Sequence, residues 1–464
     1  MNRFEIKNGI SFGPENGTVT LLPGARYGVC SVPSSKSQAH RLLICASLSE
    51  GLTKLGVRGG SADINATVSC LRSLGTPIEK RGSDGIDEYE AGQIPAASGS
   101  GVSETRAVLD AGESGSTLRF LVPVVCALGI DTVFKMAGRL PERPMGPLEN
   151  ALISGGASIE RNGNELHVRG RLSPGAYTLP GNVSSQFISG MLFALPLLSG
   201  ESTLTVTGGL ESSGYVKLTE NALKRSGIVF AFSGGTYTVP GKQKYRFATA
   251  SDRTDVEGDW SGAAFMLCMG AASEKGITVK GLDPDSAQGD KRIIDVLRSF
   301  GADVSVGLGS VTVKKRMLHG IELNASEIPD MVPAVAALAA ISDGTTRITG
   351  ASRLRLKESD RIRTTAGLIK ALGGNAYETD DGLVIEGSSG KLPGGNADPS
   401  ADHRIAMAAA VAASGAAGPV TVTGAGCVSK SFPGFWEMIA NDLAPEAGEG
   451  SCENDVYTQK GGLK

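Results

Sequence analysis

Residues 277–313 read ITVKGLDPDSAQGDKRIIDVLRSFGADVSVGLGSVTV, and this stretch contains the pattern that decides the fold. A β-branched run ends at Gly281, a polar loop follows, and a segment with apolar residues at helical spacing closes at Gly301. The last residues form two alternating runs on either side of a glycine turn, as the strands of a hairpin do. The stretch therefore predicts a strand, a loop, an amphipathic helix with a glycine C-cap and a β-hairpin.

The opening run of this pattern occurs six times along the chain. The runs are LGVRGG, FKMAG, LTVTGG, ITVKG, TRITG and VTVTG, and their glycines are Gly59, Gly138, Gly208, Gly281, Gly350 and Gly424. Successive glycines are 69 to 79 residues apart, a period too long for a solenoid. The alternative is chance similarity among ordinary βα units. We interpret the pattern as six βα units with added β-strands, in an α/β (α+β) fold of two similar lobes with three units each.

The composition is that of a globular protein and not of a disordered chain or a nucleic-acid coat. The 464 residues are 41% hydrophobic and 20% charged, and the formal net charge is −3. A sizeable core is therefore available, and no overall positive charge attracts nucleic acid. This balance still allows local clusters of cations.

The sequence shows no sign of a membrane span, a signal peptide or a metal site. The longest apolar stretches, such as residues 191–198 and 334–341, are far too short to cross a bilayer. The seven cysteines have no CxxC spacing, and the four histidines are well separated. We therefore expect a cytoplasmic protein with reduced thiols and without a metal or a cofactor.

Polar segments that carry cations stand where apolar helices are predicted to begin. Free N–H groups and the helix dipole make such positions good anion sites. The segments are SSKSQAHR (34–41), AGESGSTLR (111–119), RLPERPM (139–145), SSQ (184–186), IPD (328–330), RLRLKESDR (353–361), DHR (402–404) and SKSFP (429–433). Seven of their cations are candidates for a shared site: Lys36, Arg41, Arg143, Lys357, Arg361, Arg404 and Lys430.

Each segment alone also has an ordinary structural explanation. Ser184 and Ser185 are typical of a helix cap, Asp330 of an N-cap carboxylate, and residues 353–361 of a solvated, charged helix start. The shared position of the segments favours a functional interpretation, a basic cleft for one or two small polyanions. Asp330 and Glu358 would supply acid–base groups within it.

Eight ordered segments resemble the 5-enolpyruvylshikimate-3-phosphate synthase family (3-phosphoshikimate 1-carboxyvinyltransferases), a branch of the enolpyruvyl transferases. They are SSKSQAHR, GESGSTLR, PERPM, SSQ, IPD, LKESDR, DHRIAM and SKSFP, between Leu22 and Leu443. The resemblance implies two lobes of three βαβαββ repeats each, the inverse α/β barrel of enolpyruvyl transferases, with substrates bound in the cleft between them. It also implies that the chain crosses between the lobes twice. We therefore expect residues 22–256 in one lobe, residues 1–21 and 257–443 in the other, and a mobile tail at residues 444–464.

The implied reaction transfers the enolpyruvyl (carboxyvinyl) group of phosphoenolpyruvate to the 5-hydroxyl of shikimate 3-phosphate and releases phosphate. This is a shikimate-pathway step toward chorismate and the aromatic amino acids. By motif position, the ligands of shikimate 3-phosphate would be Lys36, Ser37, Arg41, Ser184, Ser185, Gln186, Ser212, Asp330 and Lys357. The ligands of phosphoenolpyruvate would be Lys36, Gly115, Arg143, Gln186, Arg361, Arg404 and Lys430. Asp330 would accept the 5-hydroxyl proton, and Glu358 and Lys36 would handle protons at the enol carbon.

The implied partners are these two small molecules, with no nucleic acid and no membrane, and we expect a monomer. Three features depart from the family pattern. Arg353 and Phe120 stand where the family often has asparagine and proline, and Glu113-Ser114 replaces a frequent Asn-Ala. Arg353 is therefore not among the expected substrate ligands.

Two alternatives remain. The related UDP-N-acetylglucosamine enolpyruvyl transferases typically have Lys-Asn where this chain has Lys36-Ser37, and a cysteine in the loop before Arg143, whereas GRLPER has none. A non-catalytic polyanion-binding scaffold would not favour carboxylates such as Asp330 and Glu358 among its cations, because like charges repel.

Overall fold

The protein is represented by a computed structural model that describes residues 6–13, 17–83, 85–98, 106–248 and 253–446. It combines α-helices with small β-sheets, as the sequence predicts. Within the described ranges, no helix is both long and apolar enough to cross a membrane. Residues 447–464, which are most of the expected mobile tail, lie outside the described residues.

One small sheet corresponds to each repeat, and the first three sheets form one lobe. The strands of unit one are Thr53–Arg58, Ile78–Ser83, Ile86–Ala91 and Thr254–Asp255. Those of unit two are Ala107–Gly112, Thr132–Met136, Ala157–Asn162 and Glu165–Gly170. Those of unit three are Ala176–Pro180, Ser202–Thr207, Ala231–Ser233 and Thr236–Val239.

The other three sheets form the second lobe. The strands of unit four are Arg26–Ser31, Ile277–Lys280, Asp303–Gly307, Ser310–Lys314 and Leu443–Pro445. Those of unit five are Glu322–Asn324, Thr345–Thr349, Asn375–Glu378 and Leu383–Glu386. Those of unit six are Ile6–Lys7, Ile10–Phe12, Val19–Leu21, Gly395–Ala397 and Val420–Val422.

Each sheet contains one parallel pair of strands and one antiparallel hairpin. In unit two, Ala107–Gly112 runs parallel to Thr132–Met136, and Glu165–Gly170 lies antiparallel to that second strand. A parallel pair of neighbours needs a crossover, and in units two, three, five and six one α-helix between the two strands supplies it. In unit six the hairpin comes from the N-terminus, because Val19–Leu21 lies antiparallel to Val420–Val422.

Units one and four exchange their first strands. Arg26–Ser31 pairs in parallel with Ile277–Lys280 of unit four, and Thr254–Asp255 pairs in parallel with Thr53–Arg58 of unit one. The chain therefore passes from the second lobe to the first after Val32, and it returns after Val256.

Two of the expected boundaries are therefore wrong. They are the start of the first lobe at residue 22 and the start of the tail at residue 444. Cys30 and Val32 belong to the hydrophobic core of the second lobe, so the first lobe does not begin at residue 22. Ala444 and Pro445 continue the strand that pairs with Arg26–Ser31 and are not part of a tail. Both differences arise because backbone pairing with a distant strand decides which sheet a segment joins.

Twelve α-helices occur in the described parts of the chain. They are α1 Lys36–Leu48, α2 Ala62–Ser73, α3 Gly115–Leu128, α4 Gly146–Ser154, α5 Ser185–Ala194, α6 Ser213–Arg225, α7 Trp260–Ala271, α8 Ile293–Ser299, α9 Val332–Ile341, α10 Arg361–Ala371, α11 His403–Ala413 and α12 Phe435–Asp442. All residues of α7, α9 and α11 are buried, and these three helices pack against one another. A helix that is apolar on all sides belongs in a core, and the sheets cover these helices from outside.

The six repeat glycines each follow a strand end with a φ between +53° and +85°. Glycine adopts this region without a Cβ clash, so each glycine turns the chain from a strand into the loop before a helix. Loops at the carboxyl ends of parallel strands meet at one edge of a sheet, which is where ligands bind in such folds. The predicted cation-bearing segments are therefore gathered at one edge of each lobe.

Candidate active site

A cleft lies between the two lobes, at the edge where these loops meet. Of the predicted site residues, Lys36, Ser37, Arg41, Gly115, Arg143, Ser184, Ser185, Gln186, Ser212, Asp330, Lys357, Glu358, Arg361 and Arg404 line it. Lys430 does not line the cleft, but it is buried at its side. Residues without an assigned role also line the cleft: Asp63, Ser116, Arg119, Pro144, Val183, Tyr215, Asp259, Ser261, Arg353, Leu356 and His403.

Asp330 is the centre of a buried charge network. Its Oδ1 accepts a hydrogen bond from Arg361 at 2.9 Å and lies 3.4 Å from Lys357 Nζ. Its Oδ2 accepts one from Arg404 at 3.2 Å. Burial alone would raise the pKa of Asp330, but Arg404, Lys357 and Arg361 together hold it well below its usual range. Asp330 lies inside the turn Pro329–Met331, whose N-cap is Ile328, and Met331 is the N-cap of α9, so the N-cap explanation is wrong.

Arg361 is almost completely enclosed, with 2% of its side chain exposed. Its Nε donates to Asp402 at 2.8 Å, and its NH2 donates to Glu358 at 2.6 Å. Burial alone would lower the pKa of Arg361, but Asp402, Glu358 and Asp330 raise it above the usual value. Asp402 also caps α11 by accepting from the backbone N–H of Arg404 at 3.0 Å. The two arginines are therefore fixed by the same carboxylate.

Glu358 faces cations from both lobes. Besides Arg361, it lies 3.7 Å from NH1 of Arg143, which belongs to the first lobe. Burial alone would raise the pKa of Glu358, but Arg361 and Arg143 hold it well below its usual range. The carboxylate is therefore ionised and is available to take a proton.

Two lysines at the cleft are each paired with an acid that the sequence did not single out as a site residue. Lys36, the first residue of α1, lies 2.8 Å from Asp63 Oδ2. Burial alone would lower the pKa of Lys36, but Asp63 and Glu358 outweigh this effect and raise it. Lys430 Nζ lies 2.8 Å from Glu113 Oε2 of the opposite lobe.

The start of α3 brings backbone N–H groups close to two arginines. Ser114 caps the helix by accepting from the N–H of Thr117 at 3.3 Å. A Cβ built on Gly115 would lie 3.0 Å from both Arg119 NH1 and Arg143 NH1. Glycine at this position therefore leaves room for a ligand between the helix start and the guanidinium groups.

Gln186 is oriented by two residues of α3. Arg119 donates to its side-chain oxygen at 2.8 Å, and its own amide donates to Ser116 Oγ at 2.8 Å. Burial, followed by repulsion from Arg143, lowers the pKa of Arg119 well below its usual value. An anion in the cleft would relieve this repulsion.

Arg41 is held behind Ser37 by the first lobe. It donates to Thr219 Oγ1 at 2.7 Å and to the backbone oxygen of Tyr215 at 2.9 Å. Its guanidinium carbon lies 4.8 Å from the ring centroid of Phe120, a cation–π contact. Phe120, one of the departures from the family pattern, thus supports a site residue. Burial lowers the pKa of Arg41 to about 9, so it remains charged at neutral pH.

Ser184 caps a helix and lines the cleft at once, whereas Ser212 lines the cleft without a side-chain cap hydrogen bond. Ser184 Oγ accepts from the N–H of Gln186 at the start of α5. Ser212 precedes α6 in the left-handed region, with a φ of +55°. A serine can therefore belong to a helix cap and also bind a ligand, because the remaining hydroxyl and N–H groups of the loop still face the cleft.

Arg353 connects the lobes beside Ser212. It donates to Ser212 Oγ at 3.1 Å and lies 2.6 Å from Glu211, both in the first lobe. Glu327 of the second lobe accepts from the N–H groups of Ser212 and Ser213 at 2.9 Å each. A carboxylate of the chain thus occupies the N-terminus of α6.

The acids that pair with the site cations lie in the same kind of loop as the predicted site residues, so the repeat pattern indicates their positions. Asp63 follows the first repeat glycines and stands at the start of α2, in the kind of loop that supplied the other candidates. Asp402 lies inside the DHR segment, and Glu113 inside AGESGSTLR. Their partners are distant in the sequence, so no spacing rule identifies the pairs.

In the described residues no group of three metal-ligating side chains converges on one point.

Comparison with known proteins identifies the family. The family model described as EPSP synthase (3-phosphoshikimate 1-carboxyvinyltransferase) matches residues 24–439. The chain belongs to the EPSP synthase family. Proteins named 3-phosphoshikimate 1-carboxyvinyltransferase from Clostridium novyi and Clostridium kluyveri are each 39% identical to it, and each match covers 90% of this chain and 96% of the relative.

The fold agrees with this membership. A solved EPSP synthase from Acinetobacter baumannii superposes with a TM-score of 0.75 at 28% identity, covering 93% of this chain and 99% of that one. A second structure of an EPSP synthase from that organism gives a TM-score of 0.74 at 27% identity, covering 93% of this chain and 100% of that one. The two-lobed inverse α/β fold of EPSP synthases, which the sequence resemblance implied, is confirmed.

Proposed function

We propose that the chain transfers the carboxyvinyl group of phosphoenolpyruvate to the 5-hydroxyl of shikimate 3-phosphate and releases phosphate. One observation carries the proposal: Arg361, Arg404 and Lys357 meet on the carboxylate of Asp330 inside the cleft. Such a site can neutralise anionic substrates and also offers a carboxylate for proton transfer. The names of the clostridial relatives state the same reaction.

Shikimate 3-phosphate is assigned to the side of the cleft formed mainly by the first lobe. Ser37 and Arg41 would bind its carboxylate, since a guanidinium matches a carboxylate bidentately. Its 3-phosphate would lie at the start of α5, bound by Ser184, Ser185, Ser212 and Lys357. Helix N-termini favour phosphate through their free N–H groups and dipole, and burial lowers the pKa of Lys357, which a dianion would reverse.

Phosphoenolpyruvate is assigned to the neighbouring cations. Arg361 and Arg404 would bind its carboxylate. Its phosphate would be surrounded by Lys36, the N–H of Gly115, Arg143, Gln186 and Lys430. The supporting geometry is the convergence of Arg143 and Arg119 on Gly115 at the start of α3.

Carboxylates of the chain bind the cations that are assigned to the substrates. Arg361 and Arg404 donate to Asp330, and this depresses its pKa. When the substrate carboxylate takes over the two arginines, the pKa of Asp330 rises toward its usual range. Asp330 would thus become a stronger base once its substrates are in place.

The reaction then needs proton transfers at the 5-hydroxyl and at C3, and one leaving group. The 5-hydroxyl oxygen attacks C2 of phosphoenolpyruvate while Asp330 takes the hydroxyl proton, and Lys36, whose raised pKa keeps it protonated, delivers a proton to C3. The resulting tetrahedral intermediate loses phosphate by cleavage of the C2–O bond. The ionised Glu358 then takes a proton from C3 and passes it to Lys36, and the released phosphate carries away the proton held by Asp330. The cations hold the reactants in place and neutralise the phosphate as it leaves.

An isotope experiment tests this route. Phosphoenolpyruvate with ¹⁸O at its enol oxygen should deliver the whole label to the released phosphate, because the C2–O bond breaks. The ether product should contain the unlabelled oxygen of shikimate 3-phosphate. Label that remains in the organic product would show cleavage at phosphorus and would contradict the addition–elimination route.

We propose further that the chain acts as a monomer, because residues of a single chain line both sides of the cleft. Sedimentation of the protein with both substrates should then give the mass of one chain. Activity confined to a dimer fraction would contradict this. A cytoplasmic location remains a prediction.

Replacing Gly115 with alanine is expected to raise the KM for phosphoenolpyruvate about tenfold, because one methyl group in a tight pocket has about this effect. The new Cβ would lie 3.0 Å from the guanidinium groups of Arg119 and Arg143 and would narrow the phosphate position. The matched control is Gly146→Ala at the start of α4, where a Cβ meets nothing within 4 Å. An unchanged KM in Gly115→Ala would remove this helix start from the phosphate site.

Replacing Glu113 with glutamine is expected to lower the KM for phosphoenolpyruvate about two- to fivefold, the range of a partly exposed ion pair. The change frees Lys430 from a carboxylate that competes with the substrate phosphate. The effect should shrink at high salt. Glu142→Gln, at an exposed ion pair with Arg139, is the control. A raised KM would mean that the Glu113 pair closes the cleft and does not compete.

A further inference from the structure

Tyr215 of the first lobe reaches between two carboxylates of the second. Its hydroxyl lies 3.1 Å from Asp290 Oδ2 and 3.1 Å from Asp330 Oδ2. Tyr215 stands in the first turn of α6, Asp290 in the turn Gly289–Arg292, and Asp330 in the turn Pro329–Met331. Tyr215 and Asp330 line the cleft, whereas Asp290 is buried behind them with 2% of its surface exposed.

We call Tyr215, Asp290 and Asp330 the triad. The number of protons that the triad can hold indicates the protonation state of Asp290. A phenol carries one proton and can donate to only one carboxylate. If both acids were ionised, one of the two contacts would bring lone pairs together without a hydrogen between them. Asp330 is held ionised by three cations, so the additional proton belongs on Asp290.

The surroundings of Asp290 favour the neutral acid. Its Oδ1 has no hydrogen-bond partner among the described residues, and an ionised carboxylate with a bare, buried oxygen is costly. Ser261, in the first turn of α7, donates to Oδ2. Burial, followed by repulsion from Asp330, raises the pKa of Asp290 to about 6. Among the other charged groups that face it, Arg404 lowers this pKa, and Asp259 raises it.

Tyr215 is a suitable connector between the two acids. Burial and the charges of Asp290 and Asp330 raise the pKa of its phenol well above the usual value, so it keeps its proton. With Asp290 neutral, the hydrogen bonds run in one direction, from Asp290 to Tyr215 and from Tyr215 to Asp330. Every close contact in the triad then contains one hydrogen.

We propose that Asp290 is a positioning residue for the reaction, which as a neutral acid directs the hydrogen bond of Tyr215 onto Asp330 and so orients that carboxylate toward the substrate hydroxyl. Since Tyr215 and the two acids lie in opposite lobes, the arrangement forms only when the lobes come together. Orientation of the base is thereby linked to closure of the cleft. This inference rests on the proposed role of Asp330, and Asp290 itself touches no substrate.

Two substitutions of Asp290 test the proposal, with the kinetics measured at pH 5.5, below the pKa of about 6 at which Asp290 loses its proton. Asp290→Asn keeps the shape and a donor toward Tyr215, so kcat should stay within about threefold of the native value. Asp290→Ala removes the donor, and kcat should fall about 10- to 100-fold with the KM of both substrates nearly unchanged. Tyr215→Phe should lower kcat to a similar extent. The double variant Asp290→Ala/Tyr215→Phe should be no slower than either single one, because both changes break the same chain of hydrogen bonds. Asp295→Asn, at an exposed acid in α8, is the control.

Two kinetic outcomes would overturn the proposal. If Asp290→Asn is as slow as Asp290→Ala, the residue works as an anion. If Asp290→Ala keeps its full kcat, the residue does not position Asp330.

An infrared measurement tests the proton on Asp290 without using activity, and therefore independently of the proposed function. The infrared difference spectrum, substrate-free native protein minus substrate-free Asp290→Asn, should contain a carboxylic-acid C=O band at pH 5. This band should disappear toward pH 8 with a midpoint near 6. Absence of the band at pH 5 would overturn the proposal, whatever Asp330 does. Because folding raises this pKa from 3.8, the native protein should lose stability as the pH rises through about 6, and Asp290→Asn should not.

Discussion

Replacement of Asp330 by asparagine is expected to lower kcat about 10³-fold, the range of a general base. Asparagine keeps the size of the side chain and an oxygen for Arg361, but it cannot take the 5-hydroxyl proton. The KM for phosphoenolpyruvate should not rise, because the substitution frees Arg361 and Arg404 from a competing carboxylate. Steady-state kinetics with each substrate varied in turn measure both parameters.

The control for this experiment is Asp343→Asn, an exposed acid of the same lobe. Thermal unfolding of both variants shows whether a loss of activity reflects a loss of structure. Near-native turnover of folded Asp330→Asn would remove Asp330 from the chemistry. A large rise in the KM for phosphoenolpyruvate would instead mean that Asp330 supports the two arginines and does not compete for them.

Replacement of Arg361 by glutamine is expected to have the largest effect on stability. The variant would leave Asp402, Glu358 and Asp330 without the cation they share, in a region where the side chain of Arg361 is 2% exposed. Removal of one partner from a buried ion pair typically costs about 3–5 kcal/mol of unfolding free energy. The KM for phosphoenolpyruvate should also rise about 100-fold, since a buried, hydrogen-bonded charge contributes on this scale to binding.

Urea unfolding and steady-state kinetics test the two effects of Arg361→Gln separately. Arg363→Gln, two residues further along α10 and exposed, should change neither quantity. Addition of Asp330→Asn to Arg361→Gln should restore part of the stability, because it removes one of the uncompensated charges. Native stability and a native KM in Arg361→Gln would contradict the buried network itself.

The repeat architecture could be predicted because its determinants are local. The glycines at the strand ends, such as Gly59 and Gly350, need a positive φ that other residues rarely adopt, so they mark the same place in every unit. The helices of residues 332–341 and 403–413 are apolar on all sides, which assigns them to a core without further information.

The strand exchange between the lobes could not be predicted in detail from local patterns. Arg26–Ser31 and Thr254–Asp255 are each extended segments whose sequence does not state which sheet they join. Only pairing with Ile277–Lys280 and with Thr53–Arg58 decides this. For the same reason the first lobe begins after Val32 and not at residue 22.

The cations of the site were accessible to sequence reasoning, whereas their carboxylate partners mostly were not. Lys36 and Arg404 stand at helix starts with recognisable motifs. Their partners Asp63 and Asp330 lie 27 and 74 positions away, and Glu113 lies 317 positions from Lys430. Such pairs follow from the fold, because the loops at one edge of six sheets converge only in three dimensions.

The central claim is that this cleft joins phosphoenolpyruvate to shikimate 3-phosphate. The most direct test is phosphate release from phosphoenolpyruvate, measured alone, with shikimate 3-phosphate and, in parallel, with UDP-N-acetylglucosamine. We predict release that requires shikimate 3-phosphate and that disappears in folded Asp330→Asn. Release only with the nucleotide sugar, or no release with either acceptor although both anions bind, would contradict the claim.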